Sequence, residues 1–363
     1  MIGSPHDRPP SCLMSVPISA PSLARGRRAG WLGPAVRSLG PDGTLAVAAI
    51  GVLAVMATVL GGALRVPWDG IVPFLVIAMM LVALSAAIDV VVPSRRIVPA
   101  RAFVARQWRA LRLWAPFAIV YLCYRALRGA LPVLVDGGLE ETLRRADEAL
   151  LGSSPAWSLS AIHTPWLTEL LAIAYATMFF LPLAVLLGLY ARDRERELRH
   201  VALGLQISFY VGFVIFLLVP ARSPDVVYAF TEPLVGHGFY EASMAAWREL
   251  QAVTYDAFPS MHTAISTLAL AYAVRFGRVL APVWPRTPAL VMAPIVLLLQ
   301  LATLYLRQHY FVDLVAGWTV AAIAIGASTV LERAWSGRAR RQPGEVELAI
   351  EHVQGRALHQ HVG

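Results

Sequence analysis

Lysine is missing from this chain altogether, charged residues of every kind fill only 15% of its 363 positions, and it holds just two cysteines. An average soluble domain carries about 25% charged residues. Surface-to-volume scaling leaves a water-facing monomer no way to cover itself with so few. A disordered chain is excluded by the same arithmetic, because 57% of the residues are hydrophobic. The net charge of +8 with a pI near 9.9 resembles that of a nucleic-acid-binding domain, but a mean hydropathy of +0.60 does not, so no nucleic-acid partner is expected. Cys12 and Cys123 are too few and too far apart for a disulfide framework or a thiolate metal site. What remains is an all-α, polytopic membrane protein whose first partner is the bilayer.

A bilayer core of about 30 Å needs about 20 apolar residues per helix. Eight segments qualify, at 44–64, 70–93, 113–135, 167–190, 201–220, 262–280, 289–308 and 310–331. Ahead of them, residues 1–43 are rich in Pro, Ser and Arg, with no early apolar run of the kind a signal peptide needs, and read as a disordered cytoplasmic tail. All 31 basic residues are arginine, and their placement decides the orientation. With the N-terminus inside, the inner loops collect most of them: Arg95, Arg96, Arg101, Arg106, Arg109 and Arg112 in the first, and Arg192, Arg194, Arg196 and Arg199 in the next. The outer loops 136–166 and 221–261 hold only Arg144, Arg145, Arg222 and Arg248 beside many acids. Arginine in short loops holds those loops in the cytoplasm, so both termini are expected inside a multi-pass protein of the cell membrane. The expected organisation is the tail 1–43, three additional helices in 44–135, a catalytic domain 136–331 and a cytoplasmic tail 332–363. The 136–166 loop mixes Asp147, Glu148, Leu150 and Leu151 with Trp157 and Trp166, which predicts an interfacial helix with aromatic anchors.

Ionisable residues at membrane depth are functional candidates by default. Three polar clusters fall at span ends that the topology places together on the outer face. One is Pro220-Ala221-Arg222-Ser223-Pro224, the second Phe258-Pro259-Ser260-Met261-His262-Thr263, and the third runs from Tyr305 to Asp313. His309 and Asp313, four apart, are expected to share a helix face, where the carboxylate fixes one ring nitrogen and leaves the other as a nucleophile. Ser260 is the expected N-cap of the helix that starts beside it, and the positive end of that helix is suited to an anion. His262 there is placed to give a proton to a departing oxygen, and Arg222 offers a planar fork for phosphate oxygens. Together they compose a phosphoryl-transfer site that needs neither metal nor cofactor. Other readings compete with this one. His262, His309 and Asp313 are also a possible zinc ligand set, and Arg222 a snorkelling anchor. The same polar groups would equally serve a transporter or channel. Transport spreads polar residues through the bilayer depth, whereas here only a few, such as Asp89 and Gln300, lie near helix interiors.

At these residues the sequence resembles the type-2 phosphatidic acid phosphatase superfamily. Pro259-Ser260-Met261-His262 is similar to its second motif, and His309 with Asp313 to the end of its third. Phe258 ahead of the second motif and the run His309 to Leu314 resemble the inositolphosphotransferase branch, which includes inositol phosphorylceramide synthases, as does the stretch Asp147 to Trp166. The resemblance implies a phosphatidic acid phosphatase-like helical core. It implies His309 as nucleophile, Asp313 as its orienting group, His262 as the leaving-group acid, and Arg222 with Ser260 on phosphate. A lipid phosphate would be the substrate; water as acceptor makes a phosphatase, an alcohol such as inositol a transferase. The third motif's Ser-Arg falls on Ala302 and Thr303, and Arg222 is separated from Pro224 by Ser223. Arg125 in the outer half of the third span is the expected replacement cation, with Arg128 and Arg307 behind it.

Overall fold

The computed structural model describes residues 32–60, 68–92, 100–135, 137–251 and 253–360. It divides into the units Met1–Ser38 and Leu39–Gly363, and apart from residues 32–38 the account below concerns the second. All regular structure among the described residues is helical; the only strand-like pairing among them is one isolated parallel bridge between Ala221 and Asp256.

Each of the eight expected segments contains a helix, but several boundaries differ. Helix α1 (Leu32–Leu60) starts twelve residues ahead of the expected Thr44 and bends at Gly40 before Pro41. Residues 32–43 of the expected disordered tail are therefore helical, and residues 1–31 lie outside the described residues. Helix α2 (Trp68–Val91) is apolar apart from Asp69, Ser85 and Asp89. Helix α3 (Ala100–Leu134) begins inside the expected arginine-rich loop, because Arg, Ala, Leu and Gln are strong helix formers that continue the turn beyond the apolar run. After α4 (Glu140–Leu151) and the short α5 (Pro155–Ser158), the expected fourth span splits into α6 (Pro165–Ala176) and α7 (Phe180–Ala191) around a 3₁₀ turn at Thr177–Phe179. Then follow α8 (Glu195–Leu218), the short α9 (Pro224–Val227), α10 (Phe239–Leu250), α11 (Met261–Arg275), the short α12 (Gly277–Leu280), α13 (Thr287–Tyr305) and α14 (Phe311–Gln360). Helix α14 continues through the expected C-terminal tail.

Among the described residues, five helical stretches are long and apolar enough to cross a membrane: Arg101–Arg128, Pro165–Ala191, Glu195–Leu218, Thr287–Tyr305 and Phe311–Ser336. Gly40–Met56 and Met79–Val91 are shorter apolar helices. Helix α11 has 15 residues; at 1.5 Å per residue that is about 22 Å, short of the hydrocarbon thickness.

The principal core gathers Leu113 and Trp114 of α3, Leu189 of α7, Leu198 and Leu205 of α8, Ile265 and Leu268 of α11, and Ala321 and Ala324 of α14. In lipid, helices associate by close packing rather than by a hydrophobic driving force, so small residues matter at their contacts. Gly317 of α14 shows this: a Cβ there would lie 2.6 Å from the Ser260 carbonyl oxygen and 2.9 Å from Thr263 Cβ. Polar groups within the bundle are tied to one another. Gln300 donates to Thr267 (3.0 Å) and accepts from the Trp318 indole (3.2 Å), and Gln107 donates to Asp89 (3.0 Å).

Candidate active site

Helix α11 starts where the sequence reading places it. Ser260 is its N-cap: the hydroxyl accepts from the Thr263 N–H (3.3 Å) and the Thr263 hydroxyl (3.1 Å), while the Ser260 N–H donates to the Asp313 carbonyl (3.0 Å). The starts of α11 and α14 are thus joined backbone to backbone. His262, in the first turn, is buried with its ring stacked on Tyr175 (centroids 4.1 Å, 24°) and 5.2 Å from the Trp247 ring.

His309 does not sit on a helix. Helix α13 ends at Tyr305, α14 begins at Phe311, and His309 occupies the break between them, so the shared-helix-face argument for His309 and Asp313 is corrected here. The two side chains meet nonetheless. Asp313 folds back over the start of α14, and its Oδ2 accepts from the Tyr310 N–H (2.8 Å) and from His309 Nδ1 (3.2 Å). His309 Nδ1 also reaches the Ala257 carbonyl at 2.9 Å. Two acceptors assign the proton to Nδ1 and leave the lone pair on Nε2. That Nε2 lies 3.4 Å from His262 Nδ1. Ser260, His262, His309 and Asp313 therefore form one continuous cluster, with each residue at most 5% exposed.

Arg222 adjoins it by backbone: Ala221 pairs with Asp256, and the Ala257 N–H donates to the Ala221 carbonyl (3.0 Å). Its guanidinium is held by Glu140, Nε to Oε1 at 2.7 Å, and its carbon stands 5.4 Å from the Tyr255 ring centroid. The pairing with Glu140 raises the affinity of Arg222 for its proton and engages the base of the fork. Arg125 is buried on α3 beside Tyr124, and it is the Tyr124 hydroxyl that reaches the site loop, donating to Asp256 at 2.7 Å. Arg307 points elsewhere, donating to the Glu232 carbonyl (3.0 Å) and the Ser160 hydroxyl (3.2 Å) with its guanidinium over the Phe230 ring. It fastens the two long loops together.

Several groups around the cluster have no signal in the sequence. Tyr175 and Trp247 resemble any aromatic of an apolar helix, and a main-chain carbonyl such as that of Ala257 has no sequence signature. Asp256 accepts from Tyr124 and from Gln251 (2.7 Å), and burial pushes its carboxyl above the ordinary range. The sequence marks Asp147 as an acid in an amphipathic segment and as the start of a stretch resembling the family branch, and both its oxygens accept main-chain N–H groups of α14, from Phe311 (2.9 Å) and Val312 (3.0 Å). Among the described residues, no group of three His, Cys, Asp or Glu side chains is arranged to hold a metal ion.

The family model described as the PAP2 superfamily matches residues 141–327. This chain belongs to the PAP2 superfamily. The match contains Arg222 and the Ser260–His262–His309–Asp313 cluster, and it leaves α1 to α3 outside. PAP2 membership supports an enzyme with phosphatase- or phosphotransferase-like activity on lipid phosphates, in a protein whose apolar helices suit a membrane. No curated protein and no solved structure matches the chain.

Proposed function

We propose that this PAP2 protein is a membrane phosphotransferase that moves a phosphoryl or phospho-headgroup from a lipid substrate to an alcohol, through a phosphohistidine on His309. The observation that carries the reading is the fixed tautomer of His309: Nδ1 is committed to Ala257 and Asp313, so Nε2 is the nucleophile, and it faces His262. In the first step Nε2 attacks phosphorus, the P–O bond to the leaving group breaks, and a proton on His262 Nδ1 passes to the departing oxygen. Asp313 and the Ala257 carbonyl stabilise the charge that develops on the His309 ring. In the second step an acceptor hydroxyl attacks the phosphohistidine, His262 takes its proton, and the N–P bond breaks. The incoming phosphate supplies the counter-ion to a protonated His262 ring, which lies against Tyr175 and Trp247.

Arg222, the Ser260 hydroxyl and Arg125 are assigned to phosphate, Arg125 replacing the third-motif arginine whose place is taken by Thr303. With side chains supplying both the charge and the proton transfers, the reaction is assigned no metal. The inositolphosphotransferase-like branch is favoured by the His309 to Leu314 run and by the absence of that arginine, which makes inositol the first acceptor to test. The arginine distribution assigns the site to the outer face of the cell membrane and both termini to the cytoplasm. The test is turnover of dioctanoyl phosphatidic acid and a short-chain phosphatidylinositol by the purified protein, with and without inositol, for wild type, His309→Ala and His262→Ala. Headgroup transfer that needs both histidines supports the proposal. Release of phosphate alone would replace the transferase with a phosphatase, and unchanged turnover in both variants would overturn the mechanism.

A further inference from the structure

The nucleophile occupies a break between two helices, and the hydrogen bonds that keep the break open converge on Asp147. If α13 and α14 ran on as one helix, the Phe311 N–H would donate to the Arg307 carbonyl and the Val312 N–H to the Gln308 carbonyl, four residues back. Neither bond forms. Asp147 takes both N–H groups, one on each carboxylate oxygen. The Arg307 carbonyl accepts instead from the Asp225 N–H (3.0 Å), and the Gln308 and His309 N–H groups both turn back to the Thr303 carbonyl (3.0 and 3.1 Å). Arg307 adopts a left-handed backbone, φ 60°, which reverses the chain at that point. Asp147 is fully buried on α4, a helix from a different part of the sequence, so its two bonds cross from one segment to the other.

We propose that Asp147 is a positioning residue of the active site. By capping α14 from α4 it fixes where that helix starts, and so aims His309 Nε2 at the phosphate. The division of labour between the two carboxylates is sharp. Asp313 takes the Tyr310 N–H and the His309 ring; Asp147 takes the next two N–H groups and touches neither histidine. A negative group there also complements the positive end of α14, which therefore has no N–H left for substrate, leaving the start of α11 as the helix end that faces phosphate. The proposal rests on the reading of His309 as the nucleophile. Its mark is a defect in the chemical step with binding intact, since Asp147 acts on the aim of the ring and not on the phosphate.

The experiment uses the full chain in detergent with dioctanoyl phosphatidic acid as the probe, comparing wild type, Asp147→Asn, Asp147→Ala and His309→Ala. Melting temperature is followed beside kcat and KM. Misplacement of a reacting atom by about 1 Å costs about 100-fold in rate. The expected result for Asp147→Asn, which keeps one acceptor, is a fall in kcat of about tenfold or more at unchanged KM, with the wild-type melting temperature largely kept. Asp147→Ala falls further. Wild-type kcat in both Asp147 variants, beside an inactive His309→Ala, would overturn the positioning role while leaving the site intact. Loss of kcat only in step with loss of folded protein would overturn it too, by reducing Asp147 to a structural cap. A fully active His309→Ala would instead overturn the reading of the site, and the proposal with it.

Discussion

His262 and His309 face each other nitrogen to nitrogen, Nδ1 to Nε2, at 3.4 Å. Because His309 Nδ1 has two acceptors of its own, Nε2 can only accept, and a proton between the rings belongs to His262. In the proposed mechanism phosphorus takes the Nε2 lone pair, and that proton passes to the leaving oxygen. The pair thus has a defined polarity before substrate arrives.

This polarity separates the effects of the two histidines. Loss of the nucleophile in His309→Ala is expected to cost at least about 1,000-fold in turnover of every phosphate ester. His262→Ala is expected to cost about 100-fold or more on an alkyl phosphate, and far less on p-nitrophenyl phosphate, whose leaving group departs without a proton. Steady-state rates on the two esters check this; equal losses in His262→Ala would remove it as the leaving-group acid.

Arg222→Lys keeps the charge but loses the fork in which Glu140 holds Nε and the end nitrogens are proposed to meet phosphate. One charge-assisted hydrogen bond of about 1.5 kcal/mol corresponds to about a tenfold lower kcat/KM for dioctanoyl phosphatidic acid. An unchanged value would detach Arg222 from the substrate.

Gly317→Ala tests how tightly the two motif helices are packed. The added methyl group meets the Ser260 carbonyl and Thr263, so α14 has to shift away from the start of α11. Overpacking of this kind costs about 1–3 kcal/mol, and activity is expected to fall with the melting temperature. An alanine variant with wild-type melting and turnover would show that the contact is loose.

A pH effect is expected in the loop before α10. Glu241 accepts from the Gly236 N–H (2.7 Å) and the Gly238 N–H (3.0 Å), and these bonds, Gly236 first, hold its carboxyl below the ordinary carboxylate range. A lowered folded value means stability that is present above the unfolded pKa and lost as pH falls through the folded one. Glu241→Gln is therefore expected to melt below wild type at neutral pH, with the gap closing in acid. A gap that persists at pH 3 would assign the stabilisation to packing.

The proposed orientation has its own measurement. In a chain carrying Cys12→Ser and Cys123→Ser, Val235→Cys in the loop before α10 is expected to react with a membrane-impermeant maleimide on intact cells. Val283→Cys, between α12 and α13, is expected to react only after permeabilisation; both positions are exposed in the structure. The reverse pattern would invert the topology.

The helical positions were legible because twenty-residue apolar runs have few alternatives, and the N-cap at Ser260 because a serine ahead of an apolar helix has a specific job. Boundaries were less so: the arginines that mark a loop as cytoplasmic are also good helix formers, and α3 runs through them. His309 and Asp313 were recognised as partners for an incomplete reason. A four-residue spacing implied a helix, whereas the contact is made by Asp313 reaching back over a helix start that Asp147 holds. That cap, the Ala257 carbonyl and the stacking of Tyr175 on His262 are tertiary facts, set by segments far apart in the chain.

The Tyr124 hydroxyl crosses from α3 to Asp256, and Asp256 is the residue before the carbonyl that holds the His309 ring. Its donor lies ahead of residue 141, where the PAP2 match begins. A shortened protein cut at the family boundary would keep all three polar clusters and still lose the brace behind them. A fragment that keeps the brace has to include Tyr124 of α3.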